Sequence, residues 1–253
     1  MNKRITVILP AAGKGSRLLL PYPKELMKIN ESHSLIDYTF DLFKKKCKAQ
    51  FVVVINEKKL SLIEYLSKYK NIFNISFVFQ KDRYKEITGA IKSAENLFSD
   101  YNLVLLPDTI VQLYRRKYLS LDEVVNRTKK TGFSFLYKKE NSIIKLKQMG
   151  CLKIIDNKCE NYEDKPTTKI NDFNAFWAGF AFDKNKYYES IKIIESSTLR
   201  KKLNYNQFKQ SPLHMSEGIE IKNQLDLGTW NNIRKRLLKD YLINHGIESS
   251  IIK

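Results

Sequence analysis

Ile5-Thr6-Val7-Ile8-Leu9-Pro10-Ala11-Ala12-Gly13-Lys14-Gly15-Ser16-Arg17 decides how the rest of the chain is read. Its first five residues form a short, β-branched apolar run closed by Pro10, which predicts a buried parallel strand. A turn with two glycines follows directly. Backbone N–H groups of such a turn can approach a phosphate closely, and the helix end after it adds partial positive charge. Two familiar phosphate loops are excluded. A Walker A loop needs Gly-Lys followed by Ser or Thr, and Lys14 is followed by Gly15; a dinucleotide fingerprint needs a third glycine at position 18, which is Leu18. Arg17, and Pro23-Lys24 seven residues after it, bring further cations to the loop, an arrangement that a triphosphate requires.

Outward from this loop, strand and helix patterns alternate. Apolar residues at Leu35, Ile36, Phe40 and Phe43 predict a helix over 34–46 with Ser34 as N-cap. Phe51–Ile55, Ile75–Phe79 and Asn102–Leu106 read as strands, with helices over 59–69 and 87–98 between them. That alternation predicts an α/β fold, a Rossmann-like and mostly parallel sheet flanked by helices. The second half changes character. Gly132–Tyr137, Leu152–Ile155 and Ala175–Phe182 read as strands with polar connections, which predicts a mixed-sheet extension. Residues 185–223 read as helical and loop-rich, and Asn231–Asn244 as a basic closing helix.

Composition bounds the functional classes. The 253 residues suffice for one large α/β domain or two small ones, and a hydrophobic fraction of 43% permits a sizeable core. No stretch approaches the roughly 20 apolar residues of a membrane span, and no signal peptide is read at the start of the chain. Cys47, Cys151 and Cys159 are odd in number and lack metal-ligand spacing, which suits a reducing, cytoplasmic setting. The formal charge of +18 raises nucleic-acid binding as an alternative. Its lysines are spread along the chain with only short clusters, Lys44-Lys45-Lys46 and Arg115-Arg116-Lys117, and no aromatic-basic stacking motif accompanies them. Attraction of small polyanions such as NTPs fits that distribution better than specific nucleic-acid recognition.

The segment from Leu9 to Arg17, together with Pro23-Lys24-Glu25-Leu26, resembles the signature of the nucleotidyltransferase family, which includes sugar-1-phosphate uridylyl- and thymidylyltransferases and small cytidylyltransferases. The resemblance implies a single domain over residues 1–253, with an NTP-binding half (1–130) and an acceptor-binding half (131–253). It implies that an NTP (UTP, CTP or dTTP) lies over Leu9, Ala11, Ala12, Gly13, Gly15 and Ser16, with Arg17 and Lys24 on the triphosphate. Gln80 and Thr88-Gly89-Ala90 are similar to the family segment that faces the nucleobase, and Arg83 matches the arginine of cytidylyltransferases. Leu103-Val-Leu-Leu-Pro-Asp108 places an aspartate at the carboxyl end of a strand, where ligands bind in open parallel sheets. In the family that aspartate binds Mg2+, and the aspartate of a Trp-x-Asp-Thr-Gly-Thr segment is the second ligand. Gln224-Leu-Asp226-Leu-Gly-Thr-Trp230 resembles this segment at Asp226. Glu163-Asp164-Lys165-Pro166 resembles the Glu-Glu-Lys-Pro motif whose lysine holds the acceptor phosphate and whose preceding acid binds a sugar hydroxyl. Trp177 and Gly179 fall on the strand that follows, where the glycine would admit the acceptor to the backbone and the tryptophan serves either the acceptor or the core.

These resemblances imply transfer of a nucleoside monophosphate to the phosphate of a small acceptor, a sugar 1-phosphate first and a non-sugar phosphate with CTP second. A non-catalytic regulator on the same fold would usually lack Lys165 or one of the aspartates. Mg2+ is the implied cofactor, and the reading leaves room for a homo-oligomer.

Overall fold

Ile5 to Leu9 of β1 (Ile5–Pro10) are all buried, and their side chains divide between two faces of a sheet. Ile5, Val7 and Leu9 join one apolar cluster, while Ile8 joins the other. The same division runs through β2 (Ala49–Ile55) and β4 (Tyr101–Leu105): Phe51, Val53 and Leu103 face one way, Val52, Val54 and Val104 the other. Strands covered on both faces carry continuous apolar runs, which is why these were legible without alternation.

A computed structural model describes residues 5–13, 21–84, 86–199 and 205–226. One face of the sheet is covered by α1 (Asp37–Phe40), α2 (Ser61–Leu66) and α4 (Leu121–Thr131) through Phe40, Leu62, Leu66 and Val124. The other is covered by α3 (Glu86–Ser93) and α6 (Tyr187–Thr198) through Ala90, Ile91, Ile191 and Ile194. Two short helices, α5 (Ile143–Leu146) and α7 (Tyr205–Lys209), complete the described α-helices.

The remaining strands are β3 (Asn74–Phe79), β5 (Thr109–Gln112), β6 (Phe133–Lys139), β7 (Gly150–Ile155), β8 (Lys158–Asp164), β9 (Ala175–Asp183), β10 (Gly218–Glu220) and β11 (Asn223–Asp226). A nine-stranded sheet runs β10-β6-β9-β4-β1-β2-β3, with the hairpin β7–β8 attached through β7 to β9. Along that path only β9 runs against its neighbours. The α/β reading and the mostly parallel sheet therefore hold, and strands from before and after residue 130 share it. The start of β9 pairs with β7 and its end pairs with β4, so the sheet forks between β4 and β7. β5 and β11 form a separate antiparallel pair.

Two expectations are corrected. The helix over 34–46 shrinks to α1, because Asp37 is drawn inward: the Tyr65 and Tyr69 hydroxyls donate to its carboxylate, and Lys68 pairs with it at 2.8 Å. Ser34 is no cap. Its own N–H donates to Asp37 Oδ2, reversing the expected direction, and its hydroxyl is buried without a partner. The helix expected over Asn231–Asn244 lies outside the described residues.

Candidate active site

The carboxyl ends of β1, β2, β3 and β4 open on one edge of the sheet, and the residues that follow them are Ala11–Gly13, Asn56, Gln80 and Pro107-Asp108. Parallel strand direction alone brings these positions together. Ala11 N–H donates to Val54 O, which carries the chain along β2 before it turns into the glycine loop. Gly13 is exposed, and among the described residues no atom lies within 4 Å of where a side-chain carbon would stand. Gly15, Ser16 and Arg17 lie outside the described residues.

Lys24 and Asp108 meet directly. Lys24 Nζ donates to Asp108 Oδ2, with the two side chains 22% and 25% exposed. Lys24 opens a 3-10 turn (Lys24–Leu26), and Asp108 sits between β4 and β5. Beneath this pair lies a second one that the sequence did not disclose. Lys59 Nζ donates to both carboxylate oxygens of Glu25, at 2.7 and 2.8 Å, with both residues buried. Burial pushes the Glu25 carboxyl up and the Lys59 ammonium down from their ordinary ranges, and the mutual attraction opposes both shifts.

The β5–β11 ladder sets Asp226 opposite Thr109, the residue after Asp108. Paired residues in such a ladder have Cα atoms about 4.5–5.5 Å apart, so the backbone holds positions 108 and 226 side by side. Two carboxylate-bearing positions at an open strand end fit Mg2+, which takes oxygen ligands, usually one or two carboxylates with water and substrate phosphates.

The acceptor candidates form a row across three strands. Asp164 of β8 pairs with Gly150 of β7, and Gly150 lies against Trp177 of β9. A side-chain carbon at Gly150 would stand 1.8 Å from Trp177 Nε1, so this glycine is what seats the indole. Trp177 is half-buried and meets Phe180 edge-on. Lys165, exposed and with φ 50°, follows the row and is fixed by its N–H donating to Met149 O at 2.9 Å. Two residues along β9, Gly179 pairs with Leu105 at the end of β4. A step of two strand residues is about 7 Å, which sets the Asp164–Trp177 row beside the fork that opens toward Asp108.

The remaining expected residues have packing and hydrogen-bond partners of their own. A side-chain carbon at Gly179 would meet Val104 O and Leu105 Cδ2, both at 2.8 Å, so close strand packing by itself requires a glycine there. Gly89 likewise gives way to the Tyr84 backbone, 2.6 Å from its would-be side chain, and Thr88 is buried beside it in α3. Gln80 and Arg83 stand nearer the surface: Gln80 Nε2 donates to Tyr84 O, and the Arg83 guanidinium lies over the Tyr84 ring. Asn56, absent from the expected set, donates to Ala12 O at 2.5 Å and accepts from Lys58 N–H. Its position directly after β2 was the available signal.

The comparisons with known proteins give the family and the fold. The profile of the family described as Nucleotidyl transferase matches residues 5–240. The bifunctional protein GlmU of Buchnera aphidicola subsp. Schizaphis graminum is 24% identical over 289 residues, covering 100% of this chain and 58% of its own length. The chain thus spans somewhat over half of that curated relative. Among solved structures, UTP-bound UGPase from Acinetobacter baumannii superposes with a TM-score of 0.65 at 16% identity, covering 96% of this chain and 94% of its own. A UDP-glucose pyrophosphorylase complexed with UDP-glucose gives 0.69 at 18%, covering 95% and 99%.

Proposed function

The chain belongs to the nucleotidyl transferase family, and from that premise we propose that it transfers a nucleoside monophosphate from an NTP to a sugar 1-phosphate, giving an NDP-sugar and pyrophosphate. The observation that carries this reading is the Lys24–Asp108 pair at the mouth of the parallel strands, with position 226 laid beside it by β11. A cation for the triphosphate and a carboxylate for a metal meet there, next to a second backbone position that carries an aspartate.

The acceptor phosphate is already anionic near neutral pH, so its oxygen attacks without a side-chain base. The new bond forms between that oxygen and the α-phosphorus; the bond to the bridging oxygen breaks, and its electron pair leaves on pyrophosphate. The obstacle is repulsion between two anions, so the protein's task is positioning and charge neutralisation. Lys24 and Arg17 hold the triphosphate, the amides of Gly13 and Gly15 face the departing pyrophosphate, and Lys165 holds the acceptor phosphate beside the Asp164–Trp177 row. Asp108 and Asp226 would hold Mg2+, which when bound would neutralise part of the triphosphate's charge. Lys24 and Asp108 neutralise each other, and substrate binding exchanges those partners.

A pyrophosphate-release screen of four NTPs against sugar 1-phosphates and non-sugar phosphates tests the reading. UTP enters first, because the similar structures carry UTP and UDP-glucose, and CTP with non-sugar phosphates forms the competing arm. We expect one NTP and one acceptor class to dominate, with no release in EDTA. Silence across the whole panel would remove the proposal.

The positive charge is expected to serve small anions rather than nucleic acid. Lys44, Arg116 and Lys117 from the two basic clusters border one open cavity of about 420 Å³, which none of the site residues above lines. Arg116 is already paired with Glu123 at 2.5 Å. Mobility shifts with duplex or single-stranded DNA should show weak binding that vanishes as salt rises. A sequence-selective complex at physiological salt would reverse that assignment.

A further inference from the structure

The turn that follows β2 touches both phosphate-facing segments at once. Asn56 at its start donates through Nδ2 to Ala12 O in the glycine loop, while its Oδ1 accepts from Lys58 N–H and so fixes the turn itself. Lys59 at its end reaches Glu25, the residue after Lys24, with two hydrogen bonds in the protein interior. Glu25 and Lys24 are consecutive in a 3-10 turn, where successive side chains point about 120° apart. Holding Glu25 inward therefore holds Lys24 outward, toward Asp108. The turn containing Glu25 is also tied from behind, since Ile36 N–H donates to Glu25 O at 3.0 Å.

We infer that residues 56–59 are a brace that sets the spacing between the glycine loop and Lys24, and that Asn56 and Lys59 are positioning residues for the NTP triphosphate. This rests on the reading that Lys24 faces that triphosphate. A buried ion pair as such is weak evidence of purpose, because replacing both charges by apolar groups is often close to neutral for stability, whereas removing one strands the other. That asymmetry supplies the test.

Glu25→Leu with Lys59→Met removes both charges together and is expected to keep the melting temperature near the wild type. Calorimetric titration of NTP should nevertheless weaken about tenfold, and kcat should fall by roughly 10- to 100-fold, the scale of a displacement near 1 Å. KM for the acceptor should stay unchanged, since Lys165 and the Asp164–Trp177 row are untouched. Asn56→Ala removes the donor to Ala12 O, together with the acceptor for Lys58 N–H, without adding a charge near the triphosphate; it should weaken NTP in the same direction and serves on its own if the double variant fails to fold. Wild-type NTP affinity and kcat in a stable double variant, or in Asn56→Ala, would overturn the brace and leave the reading of the site standing. A wild-type protein that binds no NTP would overturn both.

Discussion

Asp108→Asn should lower pyrophosphate release by about 10³-fold, the upper end for loss of one group stabilising developing charge, while the fold stays intact. The exchange removes a carboxylate that is a quarter exposed and whose visible partner is Lys24. Exposed or half-exposed pairs of this kind contribute about 0–1 kcal/mol, so the melting temperature should barely move. Asp226→Asn should act alike, because the exchange leaves the backbone pairing of β11 with β5 in place. Binding separates a metal role from a structural one. In EDTA, Asp108→Asn should bind NTP at least as well as the wild type, since Lys24 is released and one negative charge is gone. Added Mg2+ should then strengthen NTP binding to the wild type and far less to the variant. Full activity of the wild type in EDTA, or equal Mg2+ enhancement in both proteins, would contradict the assignment of the two aspartates.

How much of this could be read from the sequence follows from where each signal resides. β1, β2 and β4 were legible because strands buried on both faces are unbroken apolar runs, and Asp108 was legible because it ends one of them. β8 was not. Its sequence, Lys-Cys-Glu-Asn-Tyr-Glu-Asp, buries Cys159 and Tyr162, three apart, with half-buried polar residues between and after them, so it shows no period of two. β10 and β11 span three and four residues, too few for any pattern to emerge. Gly89 was read as opening a helix and Gly179 as lying on a strand, and they do lie in α3 and β9. What glycine is needed for is decided by Tyr84 and by Val104 and Leu105, contacts that motif matching does not carry. The Glu25–Lys59 pair joins residues 34 apart in a chain with 45 lysines and arginines, so nothing in the sequence marked Lys59 out among them.

Lys24→Ala and Lys165→Ala should both be severe and should differ in kind. Lys24 stands in the mouth of the parallel strands against Asp108, and Lys165 follows the Asp164–Gly150–Trp177 row on the far side of the fork in the sheet. Loss of either positioned charge is expected to cost on the order of 10²–10³ in kcat. Lys165→Ala should also raise KM for the acceptor and leave NTP affinity largely as it was. Neither fold nor local backbone should suffer, because Lys165 is exposed and its N–H bond to Met149 O does not involve the side chain. Lys24→Ala should instead weaken NTP binding, since the triphosphate loses its cation, and it should free Asp108. A divalent cation titrated without NTP should therefore bind Lys24→Ala more tightly than the wild type, in which the ammonium competes for the same carboxylate. That gain cannot come from damage to the fold, and it appears only if Lys24 and the metal share Asp108. If Lys165→Ala loses NTP affinity at an unchanged acceptor KM, or if Lys24→Ala binds the cation no better than the wild type, the two lysines do not divide the work as the geometry places them.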